Sequence, residues 1–218
     1  MQKLDLFDDN KVLLFHGSKS GICGDIKPIS RKLCDFGCGF YLGDNAQQPK
    51  SLIANRKFTN SVFYEVELDL AGLSVYRFDA DLDWALFIAY NREIIALPAK
   101  LKNRYKQINQ NSDVIVGLIA DDSMTLVLND FYRNLLTDVA LIEALKYVNL
   151  GNQYVLKTTK ACKQVRILHE SILDRLEREK LEDEALIQRK SMASVVDSLR
   201  IKYLRQGSYF YEIVGDLQ

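Results

Sequence analysis

The stretch Asp35-Phe36-Gly37-Cys38-Gly39-Phe40-Tyr41-Leu42-Gly43-Asp44 decides how the rest of the chain is read. Two glycines stand just ahead of three bulky, β-prone residues, Phe40, Tyr41 and Leu42. Gly37 and Gly39 can take backbone angles closed to other residues and let a ligand or a second strand come close. One reading is a loop entering a buried strand, with Tyr41 as ordinary core. The other is an aromatic ring presented to a ligand from a glycine turn.

Before this stretch, residues 11–15 (Lys-Val-Leu-Leu-Phe) are a short apolar run that ends at His16-Gly17-Ser18, which reads as a buried strand followed by a turn. Residues 19–35 carry Gly21, Gly24 and Pro28 among polar side chains and read as loop. Beyond it, a helix is expected over about 47–57, because proline is tolerated in a first turn and Pro49 falls there. Residues 61–70 and 73–78 read as strands joined by Ala71-Gly72, and residues 81–97 place Leu82, Ala85, Leu86, Ile88, Ala89 and Ile95 at helical intervals. Trp84 adds bulk to that helix, and Asn91-Arg92 lie on it.

Residues 101–112 are polar, 113–119 form an apolar run of strand length closed by Ala120-Asp121-Asp122, and 125–150 read as a long, mostly helical stretch that Gly151 ends in the manner of a C-cap. Residues 153–157 and 164–168 read as strands. From residue 171 the composition changes. Leu173, Leu176, Leu181, Leu186 and Ile187 stand among charges, with no glycine or proline before Gly207. That pattern predicts a long helix with a solvated face, or an extension packed on a partner. The aromatic-rich residues 208–214 either add a strand or seal a hydrophobic patch. The order is α+β with mixed strands rather than regular βαβ alternation. It divides into a domain over 1–172 and a helical C-terminal extension over 173–218.

The chain has 218 residues, with 29 basic and 29 acidic side chains. Nothing in that balance suggests bulk electrostatic binding to nucleic acid or anionic membrane, and a local patch stays open. No apolar run approaches the ~20 residues that span a bilayer. The first ten residues carry acids where a signal peptide needs basic and then apolar residues, so a cytoplasmic protein without membrane contact is expected. Cys23, Cys34, Cys38 and Cys162 form no paired C-x-x-C elements, and reduced thiols and no metal site follow.

Only His16 and His169 are histidines. His169 reads as structural, at the start of the terminal helix. His16 ends a strand. It reads either as structural or as a neutral imidazole offering a hydrogen bond to a ligand hydroxyl, with Gly17 offering backbone groups to an amide.

Taken together, His16-Gly17-Ser18, Phe36-Gly37-Cys38-Gly39-Phe40-Tyr41-Leu42 and Gln153-Tyr154-Val155-Leu156 resemble the ADP-ribosyltransferase superfamily of the diphtheria-toxin and poly(ADP-ribose) polymerase type. The wording is nearest to bacterial ADP-ribosyltransferase-like domains, some linked to toxins and phage conflict. The resemblance covers roughly residues 11–170. It implies split mixed β-sheets with flanking helices and a mono-ADP-ribosyltransferase that takes NAD as substrate. The implied acceptor is a protein or nucleic acid, and an antitoxin or a second copy of the chain is a possible partner of the C-terminal helix. The alternative is a catalytically silent module of the same fold that binds NAD, ADP-ribose or a protein.

By the same resemblance, His16 would bond the adenosine-side ribose and Gly17 the nicotinamide carboxamide. Tyr41 would stack on the nicotinamide, and Gly39 and Ser18 would complete the nucleotide-binding motifs. Arg31 could meet the pyrophosphate and reads otherwise as a solvated loop charge. The family's glutamate is Gln153 here, which accepts a hydrogen bond but carries no charge and is no general base. Asp121 and Asp122 are the nearest substitutes in sequence, and read otherwise as turn and N-cap residues. Leu52 falls near the point where the polymerase branch has a second stacking tyrosine.

Overall fold

Alternation builds the first strand: in Lys11–Ser18 (β1), Val12 and Leu14 are buried and their neighbours half-buried. A computed structural model describes residues 10–54, 61–94, 96–147 and 151–216. The chain continues through β2 (Phe40–Gly43), α1 (Gln47–Ile53), β3 (Val62–Asp69), β4 (Val75–Arg77), α2 (Leu82–Asn91), α3 (Ala99–Asn111) and β5 (Val114–Leu118). Then follow α4 (Asp122–Tyr132), α5 (Asp138–Lys146), β6 (Asn152–Leu156), α6 (Thr159–Cys162), β7 (Val165–Ile172), α7 (Arg175–Lys202) and α8 (Phe210–Asp216). The fold is α+β, with a mixed sheet and a C-terminal helix.

The strands form one seven-stranded sheet in the order β4-β5-β6-β2-β1-β3-β7, in which only β4 and β5 run parallel among the described residues. Its halves meet at a thin seam. β1 and β3 share eight register positions, but β1 and β2 share one, Phe15↔Gly43. Continuing that register would set Gly17 opposite Tyr41, and there the strands have parted. The expected split in the sheet therefore takes the form of a seam within a single hydrogen-bonded sheet.

One face of the sheet is covered by α2, α4 and α5, with Trp84, Phe87, Ile115, Phe131 and Val155 fully buried together. Val12, Leu14, Leu42, Val66, Tyr154 and Leu156 form a second cluster on the opposite face. The C-terminal helix joins the first cluster through Met192, Val196 and Leu199, and α8 adds Phe210, whose ring lies 5.2 Å from Phe131 and 5.1 Å from Tyr132. Residues 208–214 thus seal a hydrophobic patch, and do so as a helix.

Capping explains several boundaries. Asp81, Asp121, Thr137 and Asp174 each accept a hydrogen bond from a first-turn backbone N–H of α2, α4, α5 and α7. Arg200 and Lys202 end α7 in the polarity that the helix dipole favours. The long helical stretch expected over 125–150 is two helices, because Asn134 turns the chain at φ +61° and Thr137 caps a new start. Gly151 accordingly does not cap that helix, which ends at Lys146.

The polar residues 101–111 belong to α3, which buries Tyr105 and Ile108. Two further expectations change. The helix expected over 81–97 stops at Asn91, followed by Glu93 at φ +53°. His169 stands within β7, opposite Glu65, rather than at the start of the terminal helix. Pro49 does lie in the first turn of α1, whose expected continuation over 55–57 falls outside the described residues. No helix among the described residues is long and apolar enough to cross a membrane.

Candidate functional site

His16 stands where β1 leaves β2. Its Nδ1 lies 2.8 Å from the backbone oxygen of Tyr41. A carbonyl only accepts, so Nδ1 carries the proton and Nε2 of the neutral ring keeps its lone pair. Burial pushes the imidazole pKa below its ordinary value, against a smaller upward pull from the Tyr41 carbonyl. The ring stacks on Phe40 with centroids 4.4 Å apart and tilts toward Tyr64 at 6.2 Å.

The same bond orients the seam. A strand residue turns its N–H and C=O to one side, and alternate residues share that side. Because the Tyr41 oxygen faces β1, Gly43 faces β1 as well, and its partner Phe15 faces β2. Gly17, two residues along, therefore turns its N–H and C=O toward the parted side. Its other flank is filled: a Cβ on Gly17 would come 2.4 Å from the Pro49 oxygen. Helix α1 is held there from outside, by Lys50 to Glu177 at 2.7 Å and Gln47 to Glu184 at 2.7 Å, both on α7.

The central stretch holds Tyr41 firmly. Its hydroxyl donates to the Gly37 oxygen at 2.7 Å and accepts from the Phe36 N–H at 3.1 Å. Burial raises the phenol's pKa, with the nearby Cys34 and Asp35 adding to it. Gly37 is left-handed at φ +72°, which a tight turn of this kind needs. Gly39 serves strand packing, since a Cβ there would meet Val155 Cγ1 at 2.5 Å.

Gln153 is 7% exposed and lies between Gly43 of β2 and Gly117 of β5. Its Nε2 reaches the Leu118 oxygen at 3.4 Å, and the nearby amide helps to keep the Asp35 carboxylate charged. The amide N–H groups are thus turned toward acceptors, and Oε1 points away from them. Asp35 is in turn gripped by Arg92, at 2.7 Å from Nε and 2.6 Å from the terminal nitrogen, and Arg92 also reaches Thr125 Oγ1 at 3.3 Å. Burial raises the Asp35 pKa, and Arg92 and Gln153 oppose that shift by stabilising the anion.

Sequence reasoning passed over Asp35 as a site residue, although it opens the central stretch, and read Arg92 only as part of a helix. Their signal was available in part: a carboxylate and a guanidinium flanking apolar stretches are rarely buried unless paired. What joins them is Gly117. Without a Cβ it admits the Phe36 ring, whose Cζ would lie 2.7 Å from that atom, and the seated ring carries Asp35 to Gln153.

The remaining candidates are placed as follows. Ser18 donates to the Gly21 oxygen at 3.0 Å and closes a turn. Arg31 is exposed and lends Asp35 a weak positive field. Asp121 caps α4, accepting from the Met124 N–H at 2.8 Å, and burial raises its pKa. Asp122 pairs with Arg189 of α7. Leu52 is 56% exposed on α1.

A family described as a protein of unknown function (DUF3990) matches residues 12–167, from β1 into β7. The chain belongs to that family. No curated protein and no solved structure matches it.

All three motifs therefore fall within the family's span. His16, Tyr41 and Gln153 stand on the neighbouring strands β1, β2 and β6, but their side chains divide between faces. Tyr41 packs with the cluster that holds Val155, the face of Gln153 by strand alternation, whereas His16 packs against Phe40 and Tyr64 of the other. The structure joins His16 to the other two through the Tyr41 backbone.

Proposed function

We propose that the chain cleaves NAD and transfers a single ADP-ribose to a macromolecular acceptor. The observation that carries this reading is the seam between β1 and β2. There His16, with Nδ1 anchored at 2.8 Å on Tyr41, and the inward-turned backbone of Gly17 face the strands of Tyr41 and Gln153.

NAD passes through the seam in this reading, meeting His16 on one face of the sheet and Tyr41 and Gln153 on the other. The Nε2 lone pair of His16 accepts from a ribose hydroxyl, and Gly17 N–H and C=O pair with the carboxamide. The Tyr41 ring, fixed through its hydroxyl, stacks on the cationic nicotinamide. As the C1′–N bond breaks, its electron pair leaves with nicotinamide and positive charge builds on the ribose. The acceptor's lone pair forms the new bond to C1′, and the acceptor gives up its proton to solvent. Gln153 Oε1 accepts from a ribose hydroxyl. Asp35 sharpens that acceptor from behind by taking a hydrogen bond from the amide, so its charge is felt at the sugar without a carboxylate at position 153.

A specific observation favours a second reading, a silent module that binds NAD or ADP-ribose. Arg92 takes up the charge of Asp35, and Gln153 supplies no base.

Incubation with adenylate-labelled NAD and cell lysate separates the two. The transferase reading expects free nicotinamide and macromolecule-bound label in equal amounts. Retained NAD binding with neither product, at high protein concentration, leaves the binding module. Absence of NAD binding by the folded protein ends both.

A further inference from the structure

Lys157 follows β6 and buries most of its side chain. Its Nζ donates to the Phe36 oxygen at 2.6 Å and pairs with no carboxylate among the described residues. An ammonium half-buried against one carbonyl has two of its three donors and its charge left for solvent or a ligand to meet. Burial accordingly pushes its pKa down to about 8.

The amine lines an open cleft of about 740 Å³ together with Gly37, Cys38, Asn91, Lys102 and Asn109. Small-molecule sites commonly have ~300–1,000 Å³. A second unmet group belongs to the same wall. Asn91 Nδ2 donates to the Phe87 oxygen at 2.9 Å, which fixes that amide's orientation, and Asn91 Oδ1 then accepts from Asn109 Nδ2 at 2.9 Å. Asn109 Oδ1 is left buried without a hydrogen bond. An orphaned acceptor calls for a donor, as the ammonium calls for an anion.

We propose that this cleft binds a small phosphomonoester with a hydroxyl near its phosphate. The two remaining Nζ hydrogens of Lys157 hold the phosphate, with the exposed Lys102 at the rim, and the ligand hydroxyl donates to Asn109 Oδ1. Glu93 also lines the cleft and disfavours more highly charged anions such as polyphosphates. Gly37 belongs to both this cleft and the Tyr41 anchor, so the ligand would stiffen the central stretch. The proposal does not rest on NAD cleavage.

Calorimetric titration of the full chain at low ionic strength tests it, with ribose 5-phosphate and inorganic phosphate as probes. Ribose 5-phosphate is expected to bind about tenfold more tightly than phosphate, the worth of one satisfied hydrogen bond. K157M weakens both by about tenfold or more, and N109A removes only the preference. No binding of either probe, wild-type affinity in K157M, or an intact preference in N109A overturns the proposal. Should K157M fail to fold, the wild-type chain supplies a second readout. Ribose 5-phosphate, but not ribose, must slow acetylation of Lys157 by acetic anhydride as read by mass spectrometry, and unchanged labelling overturns the proposal equally.

Discussion

The imidazole of His16 holds the backbone carbonyl of Tyr41 at 2.8 Å, across the point where β1 and β2 stop pairing. A side chain thus does the work of a ladder bond, and it ties the strand of one motif to the ring of the next. The bond also fixes the tautomer that leaves Nε2 as an acceptor.

This bond sets a pH dependence. The folded His16 pKa lies below its ordinary value of 6.5, so the unfolded chain binds the proton first as pH falls. Stability from this group is fully present above about pH 6.5 and is lost as pH drops through the folded pKa. Thermal melts of wild type and H16Q between pH 8 and 5 check it. The wild-type melting temperature should fall more steeply than that of H16Q below pH 6.5, and parallel curves count against the assignment.

Placing a glutamate at position 153 should lower stability and, in the transferase reading, activity. Gln153 helps to keep Asp35 charged, and Q153E sets a second carboxylate close to it, with Arg92 to balance the two. The double change D35N/Q153E moves the charge from position 35 to position 153 and should recover part of both losses. Nicotinamide release and urea melts of the four proteins give the coupling. Full activity in Q153E alone would contradict the arrangement.

Removing the carboxylate leaves the half-buried Arg92 without its counter-charge. D35N is expected to cost about 1–2 kcal/mol of stability, between the values for exposed and for fully buried ion pairs. R92M should cost less than the sum of the two singles when combined with D35N. Additive losses in the double variant would mean that the pair is not a unit.

Asp121 and Asp122 are separable by conservative change. Asn caps helices about as well as Asp, so D121N keeps α4 intact, and D122N removes an exposed ion pair that is worth less than about 1 kcal/mol. Both variants should keep nicotinamide release within about twofold of wild type, well under the tenfold that 1.4 kcal/mol represents. A large loss in D121N with its helix intact would make Asp121 the auxiliary acid.

Gly17 of β1 and Gly39, just before β2, are both crowded by their neighbours. In G17A the new methyl meets the Pro49 backbone oxygen, and in G39A it meets Val155 and the Leu156 oxygen. Each should cost about 1–3 kcal/mol in chemical denaturation, the range for overpacking. Wild-type stability in G39A would show that β2 can shift away from β6.

The sequence by itself determined the elements whose causes are local. Alternation made β1, capping carboxylates started α2 and α7, and the glycine turn before Phe40 delivered Tyr41 into a strand. Only the tertiary structure decided what met at Gln153. Asp35 is 118 residues away in the chain and Arg92 is 61, positions that no local periodicity links. Their meeting depends on Phe36 filling the space above Gly117, a packing event between two strands and a loop. The division of His16 and Tyr41 between opposite faces was equally hidden. It follows from a register of one pair, Phe15↔Gly43, which is set when the two halves of the sheet come together.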